Sequence, residues 1–255
     1  MAEARINVES VATDQPPTGA ADFIDSPINV KLYERMMEYD IIGHKAPFFL
    51  WHGKLVEKEE LPGGDGLRPY RIGLDRYRKM VASGVFKPGE PVTLWQGRLV
   101  KPMMPDHTQN FISSLLLERL IEIVESGWVV MPRRLVAISE WSLPEPDFTI
   151  VRGRPRDYLE RWPDSLDVGL LIEVADSSLA IDRGIKLRAY AQSRLPWYGI
   201  INIPDRRVEV YEKPMNLADG PGHAVRCDYL PGQSMPVVLD GDRVGWIAVD
   251  EIFPA

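Results

Sequence analysis

The sequence predicts an α/β core with a β-rich C-terminal end, preceded by a repeated helix–hairpin unit. Three observations carry this expectation. Residues 168–175 (VGLLIEVA) form a nearly unbroken apolar run, as a central strand buried on both faces requires. Apolar residues recur at helical spacing over His107–Glu125, and a second helix is expected over Asp182–Ser193. Residues 28–56 lie over 72–100 without a gap at a constant offset of 44, with Ile28/Ile72, Tyr33/Tyr77, Met36/Met80, Pro47/Pro91, Trp51/Trp95 and Gly53/Gly97 among the identities.

Residues 1–26, rich in Ala, Asp, Thr and Pro, have little periodicity and are expected to be a flexible tail; they lack the apolar segment of a secretory leader. Each repeat copy reads as a short amphipathic helix, a turn and a small hairpin. LPGGDGLRP (61–69) between the copies is expected to be a linker on its Gly and Pro content. The division expected is therefore a tail (1–26), a first copy (27–60), a linker (61–70) and one domain over 71–255 that includes the second copy at 71–102. Beyond the helix at 107–125, strands are expected at Trp128–Ile138, Pro146–Val151, Val168–Ala175 and Trp197–Ile203. Alternating segments follow at 206–214, 227–230 and 236–249 around turns such as Asp240-Gly241-Asp242.

The chain has 255 residues, 45% of them apolar and 26% charged, which suffices for a sizeable core and excludes a wholly disordered chain. No run of 18 apolar residues offers a membrane span. A single cysteine, Cys227, cannot form an internal disulfide, which fits a cytoplasmic setting. Four scattered histidines and that cysteine do not make a zinc cage. Net charge is −7, all of it arising after residue 102, so charge-driven coating of nucleic acid is disfavoured. No glycine-rich phosphate loop is present, so no nucleotide cofactor is expected.

Two carboxylates stand out. Glu173 interrupts the apolar run of residues 168–175, where an ionised group costs several kcal/mol unless compensated. Asp147 follows Pro146 at the start of a strand. Two compensations are open: arginine pairing and turn capping, or a shared divalent cation in a hard oxygen site suited to Mg²⁺ or Mn²⁺. Two readings are open for Lys186, in the helix after Glu173: a solvated helical lysine, or an ammonium turned back toward the acids to stabilise charge on an attacked phosphate. Asp182 reads only as an acid in a first helical turn, and Tyr190, Trp197 and Tyr198 as core. Arg152, Arg154, Arg156 and Arg161 form a candidate phosphate-contacting patch.

EPDFTIV (145–151), LLIEVADSSLAIDRGIKLRAYA (170–191), WYGIINIPDRRVEVYEKP (197–214) and IAVDEIFP (247–254) together resemble the Uma-type restriction endonuclease family of the PD-(D/E)xK nuclease superfamily. The resemblance runs from about residue 72 to the end. It implies a mixed sheet flanked by helices, metal ligands at Asp147 and Glu173, and a catalytic lysine displaced to Lys186 from the usual place, where Ala175 stands. Glu118 is a candidate further ligand from the helix, and His107 falls where the family carries a histidine, expected here to cap or brace the helix start. The family's hairpin commonly carries a glutamate and an aspartate-glycine pair; here the stretch is Thr93-Leu94-Trp95-Gln96-Gly97-Arg98, and both acids are missing. The expected function is a Mg²⁺-dependent endonuclease acting on DNA, duplex DNA first, as a homodimer. The alternative is a weak or inactive nuclease-fold protein that uses the repeated hairpin as a partner or dimer surface.

Overall fold

The computed structural model describes residues 6–7, 24–43, 48–61, 64–87 and 89–253, so the expected tail lies outside the described residues except at 6–7 and 24–26. The chain divides into two compact units: Phe23–Met103 with Ser139–Pro144, and Met1–Asp22 with Met104–Ile138 and Glu145–Ala255. Both repeat copies fall in the first of these, whereas the division expected from sequence keeps the second copy with the domain that follows it. Two residues, β1 (Ile6–Asn7), belong to the larger unit.

The smaller unit opens with β2 (Ile24–Asp25), α1 (Val30–Glu38), and the hairpin β3 (Phe48–Trp51)–β4 (Lys54–Leu61). It continues with β5 (Gly64–Pro69), α2 (Leu74–Ala82), and the hairpin β6 (Thr93–Trp95)–β7 (Arg98–Lys101). The expected linker is therefore largely strand. β5 pairs antiparallel with β4, and Arg68 Nε reaches Glu57 2.8 Å across the ladder. Residues 52–53 and 96–97 turn the two hairpins with φ of 44° and 76°, and 49° and 81°, so both turns need left-handed backbone and close on glycine. Registers agree residue for residue: Trp51 faces Lys54 as Trp95 faces Arg98. The two copies also exchange their leading strands. The residue after β2, Ser26, donates its N–H to Leu99 of the second hairpin at 3.0 Å, while Tyr70, after β5, donates to Leu55 of the first at 2.8 Å.

The larger unit runs α3 (His107–Ile123), β8 (Trp128–Pro132), β9 (Phe148–Arg152), β10 (Val168–Ala175), α4 (Leu179–Ile181), a π-helical turn (Asp182–Lys186), α5 (Leu187–Gln192), β11 (Trp197–Asn202), β12 (Arg207–Leu217), β13 (Gly220–Tyr229), β14 (Ser234–Leu239), β15 (Asp242–Ala248) and α6 (Val249–Ile252). Six strands form one mixed sheet in the order β13-β12-β11-β10-β9-β8, and β1 adds two residues at the β13 edge. Only β10 and β11 are parallel. A parallel pair needs a crossover, and the helical segment 179–192 supplies it.

All eight residues of β10 are buried, as its apolar run predicts. Alternation divides them. Leu170, Ile172 and Val174 pack into the core with Ile112, Leu116 and Leu120 of α3 and with the β14–β15 hairpin and α6. Glu173 therefore points to the opposite face, where the π-helical turn and α5 lie. α3 begins with a capping box in which Asp106 and Gln109 satisfy each other's N–H groups, so His107 is an exposed first-turn residue and not the cap. The strand expected over 128–138 stops at Pro132, because Arg133 turns into the left-handed region (φ 46°). Among the described residues no helix is long and apolar enough to cross a membrane.

Candidate active site

Sheet register builds the site. Phe148 of β9 lies opposite Ile172 of β10, so Asp147, one residue earlier, falls opposite Glu173. The backbone of β10 then holds Asp147 directly: Val174 N–H donates to its Oδ2 at 2.8 Å. Arg133 fixes the other side. Its N–H donates to the Asp147 carbonyl at 3.0 Å and its guanidinium Nε stands 3.6 Å from Oδ1.

Glu173 is 3% exposed. Its Oε1 accepts from the Tyr190 hydroxyl at 2.7 Å and lies 3.0 Å from the Lys186 ammonium. Among the described residues no donor reaches Oε2. Lys186 also stands 2.8 Å from Oδ1 of Asp182, a fully buried residue four positions earlier. That approach is a close ion pair without the alignment of a hydrogen bond, so Asp182 Oδ1 is buried with no hydrogen-bond donor on it. Asp182 Oδ2 accepts from Ser178 Oγ at 2.6 Å, and the Tyr198 hydroxyl donates to the Asp182 carbonyl at 3.1 Å. On the other face of β10, Gln109 of α3 donates from Nε2 to the Val174 carbonyl at 3.0 Å.

Electrostatics follow from burial and from the count of charges. Three carboxylates, of Asp147, Glu173 and Asp182, face two cations, the Lys186 ammonium and, at Asp147, the Arg133 guanidinium. Burial pushes the Glu173 carboxyl up to about 7 against the pull of Lys186. Burial also raises Asp147, outweighing its bond from Val174 N–H and the attraction of Lys186 and Arg133. For Lys186 burial acts downward, but Glu173 and Asp182 outweigh it, so its pKa lies above the ordinary lysine value and it stays charged. An excess of buried negative charge beside a free carboxylate oxygen is a site that a proton or a hard cation relieves.

Asp147, Glu173 and Lys186 are thus brought together. Glu118 is exposed on α3, off the stripe Ile112–Leu116–Leu120 that faces the sheet, and does not join them. The arginine patch is also elsewhere: Arg152 ends β9 five residues after Asp147, roughly 17 Å along an extended strand. There Arg152 bonds Asp240 at 2.5 Å and covers Trp128, Arg154 pairs with Asp157 at 3.5 Å, Arg156 is exposed, and Arg161 forks onto Asp167. The cationic side chain at the acids is instead Arg133. Sequence reasoning also missed Asp182, Tyr190 and Gln109. The i,i+4 spacing of Asp182 and Lys186 was the available signal for the first.

Whether a divalent ion suits these residues turns on the donor set. Among the described residues no group of three or more His, Cys, Asp or Glu is disposed to hold a metal ion. Mg²⁺ asks less of protein, since it commonly binds through one or two carboxylates and keeps several waters or substrate oxygens. Glu173 Oε2, without a donor, and the Asp147 carboxylate opposite it fit that sparser requirement.

A protein-family model described as Uma2, "Putative restriction endonuclease", matches residues 74–238. The chain is also similar to a solved structure from Anabaena variabilis, described as a "putative nuclease belonging to DUF820". The TM-score is 0.51 at 14% identity, with 71% of this chain and 97% of that chain covered, and at that identity the likeness speaks for the fold. Comparison with curated proteins finds no match.

Proposed function

Since the chain belongs to the Uma2 family of restriction-endonuclease-like proteins, we propose that it is a Mg²⁺-dependent endonuclease that hydrolyses DNA phosphodiester bonds at Asp147, Glu173 and Lys186. The supporting observation is the buried pairing of Glu173 with Lys186 at 3.0 Å, opposite an Asp147 carboxylate fixed by the Val174 N–H. Asp147 and Glu173 would hold the cation, with Mn²⁺ as a substitute. When bound, it would supply positive charge against the scissile phosphate and acidify water.

The side chains divide the remaining work. Tyr190 and Lys186 both engage Glu173 Oε1, which leaves Oε2 for the cation. Asp182 holds Lys186 charged and in place, with Ser178 steadying Asp182. In this reading the ammonium would donate to a non-bridging phosphate oxygen as charge builds there. Duplex DNA is the proposed substrate. A two-fold homodimer is the proposed assembly, since cutting both strands needs two sites.

Nicking of supercoiled plasmid in Mg²⁺ or Mn²⁺ tests the reading. Wild type should nick, and Asp147→Ala and Glu173→Ala should each fall by at least about 100-fold. Equal activity in all three would refute the site. A second reading, an interaction protein on a nuclease fold, draws support from the stretch Thr93-Leu94-Trp95-Gln96-Gly97-Arg98, which lacks both acids that the family commonly carries there. Calorimetric titration of Mn²⁺ separates the two: the second requires no binding at millimolar metal.

A further inference from the structure

The repeat copies are equivalent down to single hydrogen bonds, yet among the described residues one copy is completed and the other is open. The shared bonds obey the 44-residue offset. Ile28 N–H donates to the Gly53 carbonyl at 2.9 Å as Ile72 donates to Gly97 at 2.8 Å, and Ile41 donates to Met36 at 2.8 Å as Val85 donates to Met80 at 3.0 Å.

The second copy then makes four further bonds, all with segment 139–144 of the same unit, a tight turn closed by Ser139 and Ser142 that leads Leu143 into a bridge with Leu94. Leu74 N–H donates to the Glu140 carbonyl and Gly97 N–H to the Trp141 carbonyl, both at 2.7 Å. The Leu94 carbonyl accepts from Leu143 N–H at 2.7 Å, and Gln96 N–H donates to Ser142 Oγ at 2.9 Å. Arg71 lies over the Trp141 ring at 4.3 Å.

The corresponding groups of the first copy are Val30 N–H, Gly53 N–H, the Leu50 carbonyl and His52 N–H. None has a counterpart bond among the described residues. Exposure agrees: Trp51 is 52% exposed where Trp95 is 4%, Val30 is 61% exposed, and Leu50 is partly exposed where Leu94 is fully buried. Among the described residues, β3 has β4 on one side and no partner strand on the other.

We propose that the β3 edge and the start of α1 form a docking site for a turn-forming segment of a partner protein with the chemistry of residues 140–143, Glu-Trp-Ser-Leu. The second copy displays the complex within the chain. The occupant's leucine N–H pairs with Leu50, its serine hydroxyl accepts from His52, and two of its turn carbonyls accept from Val30 and Gly53, so that it bridges the edge of β3. Its tryptophan meets Pro27, the counterpart of Arg71, as an apolar contact. A second copy of this chain is not the source, because its own segment 139–144 is engaged by its second hairpin. The inference stands whether or not the chain cleaves DNA.

The test titrates a fluorescent peptide, Ser-Glu-Trp-Ser-Leu-Pro, into the full chain and maps amide hydrogen exchange at saturation. Saturable one-to-one binding is expected. Exchange at Val30, His52 and Gly53 should slow at least about ten-fold, with Leu74, Gln96 and Gly97 unchanged. A peptide N-methylated at the leucine should bind at least about ten-fold more weakly, since the Leu50 carbonyl loses its donor. Absence of saturable binding up to millimolar peptide would overturn the proposal. So would equal binding of the methylated peptide, protection at other amides, or protection of these amides by self-association without peptide.

Discussion

Replacing His223 by phenylalanine should remove a specific part of the protein's acid sensitivity. His223 is 5% exposed on β13, and both ring nitrogens are buried without a hydrogen-bond partner. Its ring centroid lies 5.9 Å from that of Tyr211 and 6.4 Å from that of Tyr198. Burial lowers its pKa from 6.5 to about 4, so the fold holds it neutral. Between those values the unfolded chain binds the proton and the folded chain does not, so stability falls as pH falls. At pH 5 the proton favours the unfolded chain about 30-fold, which is about 2 kcal/mol, and at pH 7.5 the effect is about zero. Urea unfolding at pH 7.5, 6 and 5, read from exchange protection of β12 and β13 peptides, measures it. Wild type should lose about 2 kcal/mol more than His223→Phe between pH 7.5 and 5, since every other titrating group is common to both. Parallel curves within about 0.5 kcal/mol would refute the assignment of an uncharged, unpartnered His223.

Other expected outcomes concern the charged clusters and the packing. Lys186→Met leaves Glu173 and Asp182 buried without their cation; in EDTA it should cost about 3–5 kcal/mol at pH 8. That loss should shrink as pH falls, because the folded variant then takes up a proton more readily than the unfolded chain, and urea midpoints at pH 8 and 5.5 check the sign. Glu209 is fully buried and takes Arg183, Arg226, Asn202 and Tyr211; Glu209→Ala should cost about 3–5 kcal/mol by thermal or urea unfolding. Burial opposes ionisation of Glu209, but the bond from Arg183 and its other partners outweigh it and lower its pKa. Its contribution is therefore full above about pH 4.5 and lost as pH falls further. Gly169→Ala should destabilise by about 1–3 kcal/mol, since a Cβ there would meet Trp128 at 2.7 Å and Leu239 at 2.8 Å. An unchanged melting temperature would contradict that packing.

The legible parts of the site were those whose signal is local. Glu173 declared itself by breaking an apolar strand, and the register that sets Asp147 opposite it follows once 148–151 and 168–175 are both strands. Asp182 was opaque because a helical acid four residues before a lysine is ordinarily a solvated pair. Only the packing of the π-helical turn on the sheet buries it. Gln109 acts from α3 on the Val174 carbonyl, 65 positions away, and nothing in a linear pattern announces such a bond. The arginines after β9 misled because nearness in sequence is not nearness in space: a strand carries successive residues away from its start. The stretch at 64–69 reads as linker from its glycines, yet it pairs because β4 offers an edge and Arg68 a partner for Glu57. An α/β core with a β-rich end was legible in the order of elements, while the mixed sheet was implied by the family resemblance and its strand order emerges only in the fold.

The exchange of leading strands has a consequence for how the repeat region holds together. Each hairpin borrows its third strand from the stretch of chain that leads into the other copy, so neither copy is self-sufficient. The short connection makes that borrowing intramolecular, at an effective concentration in the millimolar range for a flexible tether. Cut between the copies, the same pairing becomes an association between fragments that dilution undoes. A fragment beginning at residue 71 keeps β7 but loses β2, and satisfies that edge only by recruiting another molecule. The tether, as much as any contact, is what keeps the pairing of the two copies within one chain.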